Sequence, residues 1–438
     1  MTSRTGLRQF RLLPSLLFAA TVMAACATAP TRPPASISTG QPRPDPVITQ
    51  PQPSPPDISE PIIEQPVVED LKEVEDTSRY VVPDHMIGRD IKRVGVLLPF
   101  SHSSSSVRNQ ASSLLAAIEM ALFDQNNADI LILPKDTGGD PRKTTSVAEE
   151  VIAEGADIII GPLFAENVRA ASNVARLDEI PVIAFSNDLT AAGGGAFLMS
   201  FPPEEEVARV VDWAVLNGIN RFAFIGPRTD YARRVETALR FEAARRSSIV
   251  LAAEFYDPGN EAPVDEARRL ADRIGFALNS GAPKVAVMIP DRGTNLLSVA
   301  PLLPYYSLDL QRLQYIGTSL WDDESIWREP VLSNAKFAAP PPEDLDMFTD
   351  GFESNYGRSP ASLASLGYDA AALSIAFLGD GEISAEELRD LDGFRGVNGL
   401  FRFRSDGTID RGLAVLSITP RGPVVEDAGP DSFRPDVN

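Results

Sequence analysis

The sequence predicts an α/β protein of two doubly wound lobes joined by a hinge, and three observations carry that expectation. Between residue 91 and about 419, short apolar runs bounded by Gly, Pro, Asp or Asn alternate with longer amphipathic ones, the rhythm of strands joined by crossover helices. The run Ile158-Ile159-Ile160 is apolar throughout, as a strand covered by helices on both faces must be. Roughly 330 residues of this pattern exceed what one such sheet needs, so the pattern divides between two lobes.

In chain order the strand-like runs lie at 93–98, 130–133, 158–160, 182–185, 222–225, 249–255, 285–289 and 314–316. Helical periodicity fills the intervals at 107–124, 142–154, 167–177, 204–216, 231–247 and 265–278. After Phe185 a loop rich in Ser, Asn, Asp and Gly runs to Gly195, and a new βα series starts beyond Pro202, so the second lobe is expected from Pro203. From Glu343 the order changes. Two helices, 344–356 and 361–378, precede hairpin-like runs at 394–403 and 413–418 around an Asp406-Gly407 turn. Helices followed by late strands suit a chain that recrosses between lobes. The expected division is 91–202 plus about 340–390 for the first lobe and 203–339 plus about 391–420 for the second, with 421–438 a disordered, proline-rich tail.

Ahead of this region, Arg4, Arg8 and Arg11 precede an apolar run over 12–25, shorter than the about 20 residues of a membrane span. Residues 1–25 read as a signal peptide. Val22-Met23-Ala24-Ala25-Cys26 resembles a bacterial lipobox, and Cys26, the one cysteine of the chain, is the expected lipidation site. Ala27 follows it in place of Asp, which is similar to outer-membrane sorting. Residues 26–90 then read as a disordered tether: 27–79 holds no aromatic residue, and twelve prolines fall between Pro30 and Pro66. Such a stretch cannot bury enough apolar surface to offset its ordering entropy, and stretched out it reaches on the order of 150–200 Å.

Composition excludes several functions. Acidic residues outnumber basic ones 61 to 40, a formal charge of −21 that nucleic-acid phosphates would repel, so nucleic acid is not an expected partner. Two histidines and one cysteine cannot assemble a His/Cys zinc centre, a disulfide framework or a Cys-His nucleophile. Asp136-Thr137-Gly138 matches an aspartic-protease triplet, but two such carboxylates must share a proton and only one triplet exists. Ser333-Asn334-Ala335-Lys336 spells S-x-x-K, yet Pro340-Pro341-Pro342 follows closely and would break the helix it needs. No catalytic residue, metal or cofactor is expected.

The run Lys92-Arg93-Val94-Gly95-Val96-Leu97-Leu98-Pro99-Phe100-Ser101, with Ile159-Ile160-Gly161-Pro162-Leu163, Ile180-Pro181-Val182-Ile183-Ala184-Phe185-Ser186 and Gly367-Tyr368-Asp369-Ala370-Ala371, resembles the type I periplasmic binding proteins. The leucine/branched-chain amino-acid receptor branch is the most similar. Asp136-Thr137-Gly138-Gly139-Asp140-Pro141 and Gly161 through Arg169, with the lipidated start, look most like the penicillin-binding protein activator lipoproteins. The resemblance implies two lobes, three crossovers and a cleft that closes on ligand.

Strand ends and helix N-termini in such a fold expose backbone N–H groups suited to an anion. By position in the family pattern, Ser101, Ser103, Phe164, Ala165, Ser186, Asn187, Tyr231, Asp291 and Trp321 are the ligand-cleft candidates. Phe164-Ala165-Glu166 brings bulk and negative charge where amino-acid receptors of this branch present hydroxyls, which disfavours a ligand carboxylate.

The resulting expectation is a non-catalytic lipoprotein on the periplasmic face of the outer membrane. Its lipid anchors it to that membrane, and its folded region engages a peptidoglycan synthase across the periplasm. The alternative is the solute receptor of an amino-acid importer, with a small molecule such as an amino acid as ligand. A peptidoglycan hydrolase lacks a nucleophile constellation.

Overall fold

The computed structural model describes Met86 and residues 88–434, apart from 128, 260, 261 and 382. The signal peptide, Cys26 and all but the end of the expected tether lie outside these residues.

The first sheet is laid down by β1 (Lys92–Leu98), α1 (Ser105–Gln125), β2 (Ile130–Asp136), α2 (Pro141–Ala153), β3 (Ile158–Ile160), α3 (Ala165–Ala175), β4 (Val182–Ala184) and β5 (Ala196–Leu198). All five strands are parallel, in the order β2-β1-β3-β4-β5. Side chains alternate across β1: Val94, Val96 and Leu98 join Leu114 and Ile118 of α1, whereas Leu97 joins Val151 of α2 and Val168 of α3. Burial on both faces is the reason β1, β3, β4 and β5 carry no polar alternation, whereas the edge strand β2 is only partly buried. Local chemistry sets the ends. Asp140 caps α2 by accepting from the N–H groups of Arg142 and Lys143, with Pro141 at the first helical position.

After Leu198 the chain crosses to the second lobe: α4 (Pro203–Leu216), β6 (Arg221–Pro227), α5 (Asp230–Arg245), β7 (Ile249–Tyr256), α6 (Val264–Asn279), β8 (Val285–Met288), α7 (Gly293–Val299), α8 (Leu302–Tyr305), β9 (Leu313–Gly317) and β10 (Lys336–Ala339). Phe222 and Phe224 face Val210 of α4 and Leu239 of α5, and Ala223 and Ile225 face Leu270 and Ile274 of α6. The chain then returns to the first lobe. In α9 (Pro342–Tyr356), Phe348 and Phe352 pack on Ala117 and Met120 of α1. In α10 (Ala364–Asp380), Gly367 lies so close to α1 that a Cβ there would stand 2.9 Å from the Leu114 carbonyl oxygen. A small antiparallel sheet of β11 (Phe394–Gly396), β12 (Gly399–Phe403) and β13 (Ile409–Gly412) follows. Last come β14 (Ala414–Thr419), antiparallel to β10, and β15 (Gly422–Asp427), antiparallel to β14. They complete the second sheet in the order β15-β14-β10-β9-β8-β6-β7.

Three features depart from the sequence expectation. The chain regains the second lobe after Gly412 and not near 391, because Phe394, Phe401 and Phe403 stay in the first lobe's core, where the Phe403 ring lies 5.3 Å from that of Phe197. β10 falls outside the predicted strands because Lys336 interrupts its apolar pattern, yet Lys336 is buried, its Nζ donating to Asn334 Oδ1, Ser417 Oγ and Glu426 Oε2 at 2.7–2.9 Å. The same contacts hold β15, so the tail expected from 421 begins as a paired strand.

Candidate functional site

Both sheets reverse strand order at a switch point, between β1 and β3 in the first and between β6 and β8 in the second. Ligands of open α/β sheets bind outside the carboxyl ends of strands at such points. Every cleft candidate lies on that side of a strand: Ser101 and Ser103 after β1, Phe164 and Ala165 after β3, Ser186 and Asn187 after β4, Tyr231 after β6, Asp291 after β8 and Trp321 after β9.

In the first lobe the backbone N–H and the Oγ of Ser101 both donate to the Asp136 carboxylate, which also accepts from the Gly138 N–H and from Lys143 Nζ. Burial pushes the Asp136 carboxyl up, but the bonds from Lys143, Ser101 and Gly138 outweigh it and hold the group well below the usual carboxylate range. The Asp136-Thr137-Gly138 triplet is thus a loop brace. The carbonyls of His102 and Ser103 accept from Arg108 Nη1 at 2.6 and 2.8 Å, and the His102 ring lies 5.5 Å from that of Phe164. Ser101, Ser103 and Phe164 therefore border one loop cluster, with half-buried Ala165 opening α3 beside it. Ser186 is buried, its Oγ accepting from the Asp188 N–H at 3.2 Å, and Asn187 is exposed.

In the second lobe the Tyr231 hydroxyl donates to Thr318 Oγ1 at 2.9 Å; burial, and then the neighbouring Glu206 carboxylate, raise its pKa. Asp291 is buried and accepts from the Tyr256 hydroxyl, from the Arg292 N–H at 2.8 Å and from Asn295 Nδ2 at 3.5 Å. Trp321 is wholly buried, its indole N–H donating to the Asp291 carbonyl at 3.1 Å, and a Cβ on Gly317 would stand 2.3 Å from its ring. Both residues brace the interior of the lobe, and their polar groups have internal partners. Among the described residues, no group of three His, Cys, Asp or Glu side chains is placed to hold a metal.

Sequence reasoning missed a buried charged cluster beside the lobe crossings. Arg411 of β13 donates from Nε to the Ser200 carbonyl at 2.6 Å, and its guanidinium carbon lies 4.3 Å from the centre of the Phe201 ring. Burial lowers its pKa to about 10 against the carboxylates of Asp369, Glu205 and Glu206. Glu206, in the first turn of α4, accepts from the Ser319 N–H at 3.0 Å and Oγ at 2.7 Å, and burial pushes its carboxyl up to about 7. Asp369 of α10 accepts from the Val397 N–H at 2.8 Å and Asn398 Nδ2 at 2.7 Å, and burial raises its carboxyl too. Two signals stood in the sequence. Arg411 shares the inward face of β13 with Ile409, and Asp369 stands within Gly367-Tyr368-Asp369-Ala370-Ala371.

Known structures share this architecture. A Rhodospirillum rubrum protein described as a branched-chain amino acid ABC transporter is similar at a TM-score of 0.66 and 20% identity, over 76% of this chain and 99% of that one. LpoA from Haemophilus influenzae is similar at 0.59 and 16% identity, over 77% of this chain and 59% of that one. The leucine binding protein LivK from Thermotoga maritima is similar at 0.52 and 16% identity, over 78% of this chain and 99% of that one. At these identities the likeness is one of fold, that of the type I periplasmic binding proteins. In sequence, an uncharacterized protein of Rickettsia prowazekii is 22% identical over 217 residues, 49% of this chain, and the match spans 57% of that relative's length. The sequence model of the family described as periplasmic binding protein matches residues 92–423, which places this chain in that family.

Proposed function

We propose that this chain is a non-catalytic lipoprotein, anchored through Cys26 at the periplasmic face of the outer membrane, whose two-lobed domain holds a peptidoglycan synthase of the penicillin-binding type. The observation that carries the reading is the internal commitment of the polar groups at the strand ends. Ser101 is bound to Asp136, Ser186 to the Asp188 N–H, Tyr231 to Thr318 and Asp291 to Tyr256. A receptor for a zwitterion needs such groups free to meet the ligand, because a buried ligand charge without partners is costly. The fold likeness to LpoA and the resemblance to activator lipoproteins point the same way.

A second reading, an importer's amino-acid receptor, draws on α1 and α3, whose N-terminal N–H groups have no side-chain cap and which meet at His102 and Phe164. On that reading Ser103, Phe164, Ala165 and Asn187 are the ligand contacts left in the first lobe. Pull-down with the full-length lipoprotein separates the two: recovery of a glycosyltransferase/transpeptidase supports the scaffold, and recovery of permease subunits alone overturns it. Calorimetry with leucine, isoleucine and valine should show no binding. Shortening the 26–90 segment by about half should abolish function if reach across the periplasm is what the segment supplies.

A further inference from the structure

We propose that the groove between α4 and α5 docks an acidic peptide segment with an apolar anchor, presented by a protein partner. The proposal rests on the reading that the domain works by holding another protein, and it names the surface.

Asp230, Arg233, Arg234, Thr237, Phe241 and Arg245 recur at intervals of three and four, so they form one face along the whole of α5. That face and the first turns of α4 enclose a groove of about 760 Å3. A helix of 16 residues is about 24 Å long, room for about seven residues of extended chain. Ala208 and Ala238 leave depth in the groove, and Phe241 stands 61% exposed on a helix otherwise polar on its outer side. One face of the Phe241 ring carries the Arg245 guanidinium, and the rest of the ring, in water within a concave site, is what an apolar anchor would cover.

The charge arrangement selects the rest of the occupant. The chain as a whole is strongly acidic, yet the outward charges here are mainly guanidinium: the side chains of Arg233, Arg245 and Arg404 are 58%, 63% and 41% exposed. Asp230 is the exposed exception, and Glu204, Glu205 and Glu242 sit deeper, at 32%, 19% and 9%. Each of these arginines already has a carboxylate partner, Arg233 in Asp230, Arg245 in Glu242 and Arg404 in both Glu205 and Asp410, so a further carboxylate would add to an existing pair at the exposed side of the guanidinium. Arg245 is the most loosely ion-paired: its contact with Glu242 is 3.4 Å long, and its guanidinium carbon lies over the Phe241 ring, 5.6 Å from the centre. An acidic segment would be repelled from most of the remaining surface, which confines it to this groove. Arg404 comes from the turn after β12, packed on the first lobe, whereas α4 and α5 belong to the second, so an occupant of the groove touches both.

The test is fluorescence anisotropy of the full-length protein with a fluorescein-labelled synthetic peptide of Asp and Glu around one Phe. Arg245→Glu and Phe241→Ser should each weaken binding by about tenfold or more, and raising salt from about 0.05 to about 0.3 M should weaken it further. Arg328→Glu, at an exposed site outside the groove, should leave it unchanged. Equal affinity of the groove variants overturns the proposal, as does equal affinity of a peptide with Ser in place of Phe. Competition by inorganic tripolyphosphate as effective as unlabelled peptide would make the site a general polyanion site and overturns it too. In pull-down, recovery of the synthase by both the wild type and Arg245→Glu refutes this surface and leaves the proposed function standing. No recovery by the wild type refutes that function, and the peptide assay then decides the groove by itself.

Discussion

Arg411 and Ser200 tie the last strand of the small sheet to the first crossing between lobes through one charge-assisted hydrogen bond, 2.6 Å from Nε to the carbonyl oxygen. The guanidinium stacks on Phe201 in the same crossing, and its two Nη groups, like Ser200 Oγ, have no hydrogen-bond partner among the described residues. The cation therefore acts by proximity on the buried carboxylates around it, Asp369 from one lobe and Glu205 and Glu206 from the other.

Arg411→Met should cost about 3 kcal/mol, because it leaves the buried Asp369 and Glu206 without their cation, while Glu205 keeps Arg404. Urea denaturation measures the loss, and adding Asp369→Asn to the Met variant should recover part of it as coupling. A loss below about 1 kcal/mol would mean that the cluster is not electrostatically linked.

Glu206 should make stability fall as pH rises. Its carboxyl titrates near 4.5 when unfolded and near 7 when folded, so between these values the folded chain binds the proton more tightly. The contribution of this group to stability is full below about 4.5, declines through about 7 and then levels off, a change of about 3 kcal/mol. Glu206→Gln keeps an acceptor for Ser319 and should remove that component. The check is the difference in urea midpoint between pH 5 and pH 8 for the wild type and the variant, and identical differences would exclude Glu206 as the titrating group.

Lys336→Ala should release β15. The variant removes the donor shared by Asn334, Ser417 and Glu426 and opens space beside Trp213, whose ring lies 5.5 Å from the ammonium. The expected cost is roughly 3 kcal/mol, with faster amide exchange over 422–427 than elsewhere in the second sheet. Lys336→Met, which fills the space without a charge, should lose less.

Gly317→Ala should be poorly tolerated although the site lies in a strand, since the added methyl would meet the Trp321 ring at 2.3 Å. Overpacking of this kind costs about 1–3 kcal/mol. Loss of near-ultraviolet dichroism together with stability would report the displaced indole, and an unchanged spectrum at wild-type stability would contradict the packing described.

The amino-acid sequence by itself determined the βα rhythm and the placement of eight strands, because each is written in which neighbouring residues are apolar and where turns interrupt them, and its motifs carried the family resemblance. Tertiary structure alone decided that a buried lysine of β10 reaches across β14 to β15, that Phe394, Phe401 and Phe403 remain in the first lobe, and that Ser101, Asp291 and Trp321 are internally committed. The physical reason is distance along the chain. Hydrophobic period reports which face of a segment is buried, but the partner of a buried charge or hydroxyl is supplied from elsewhere: Lys336 meets Glu426 across 90 residues, and Arg411 meets Ser200 across 211.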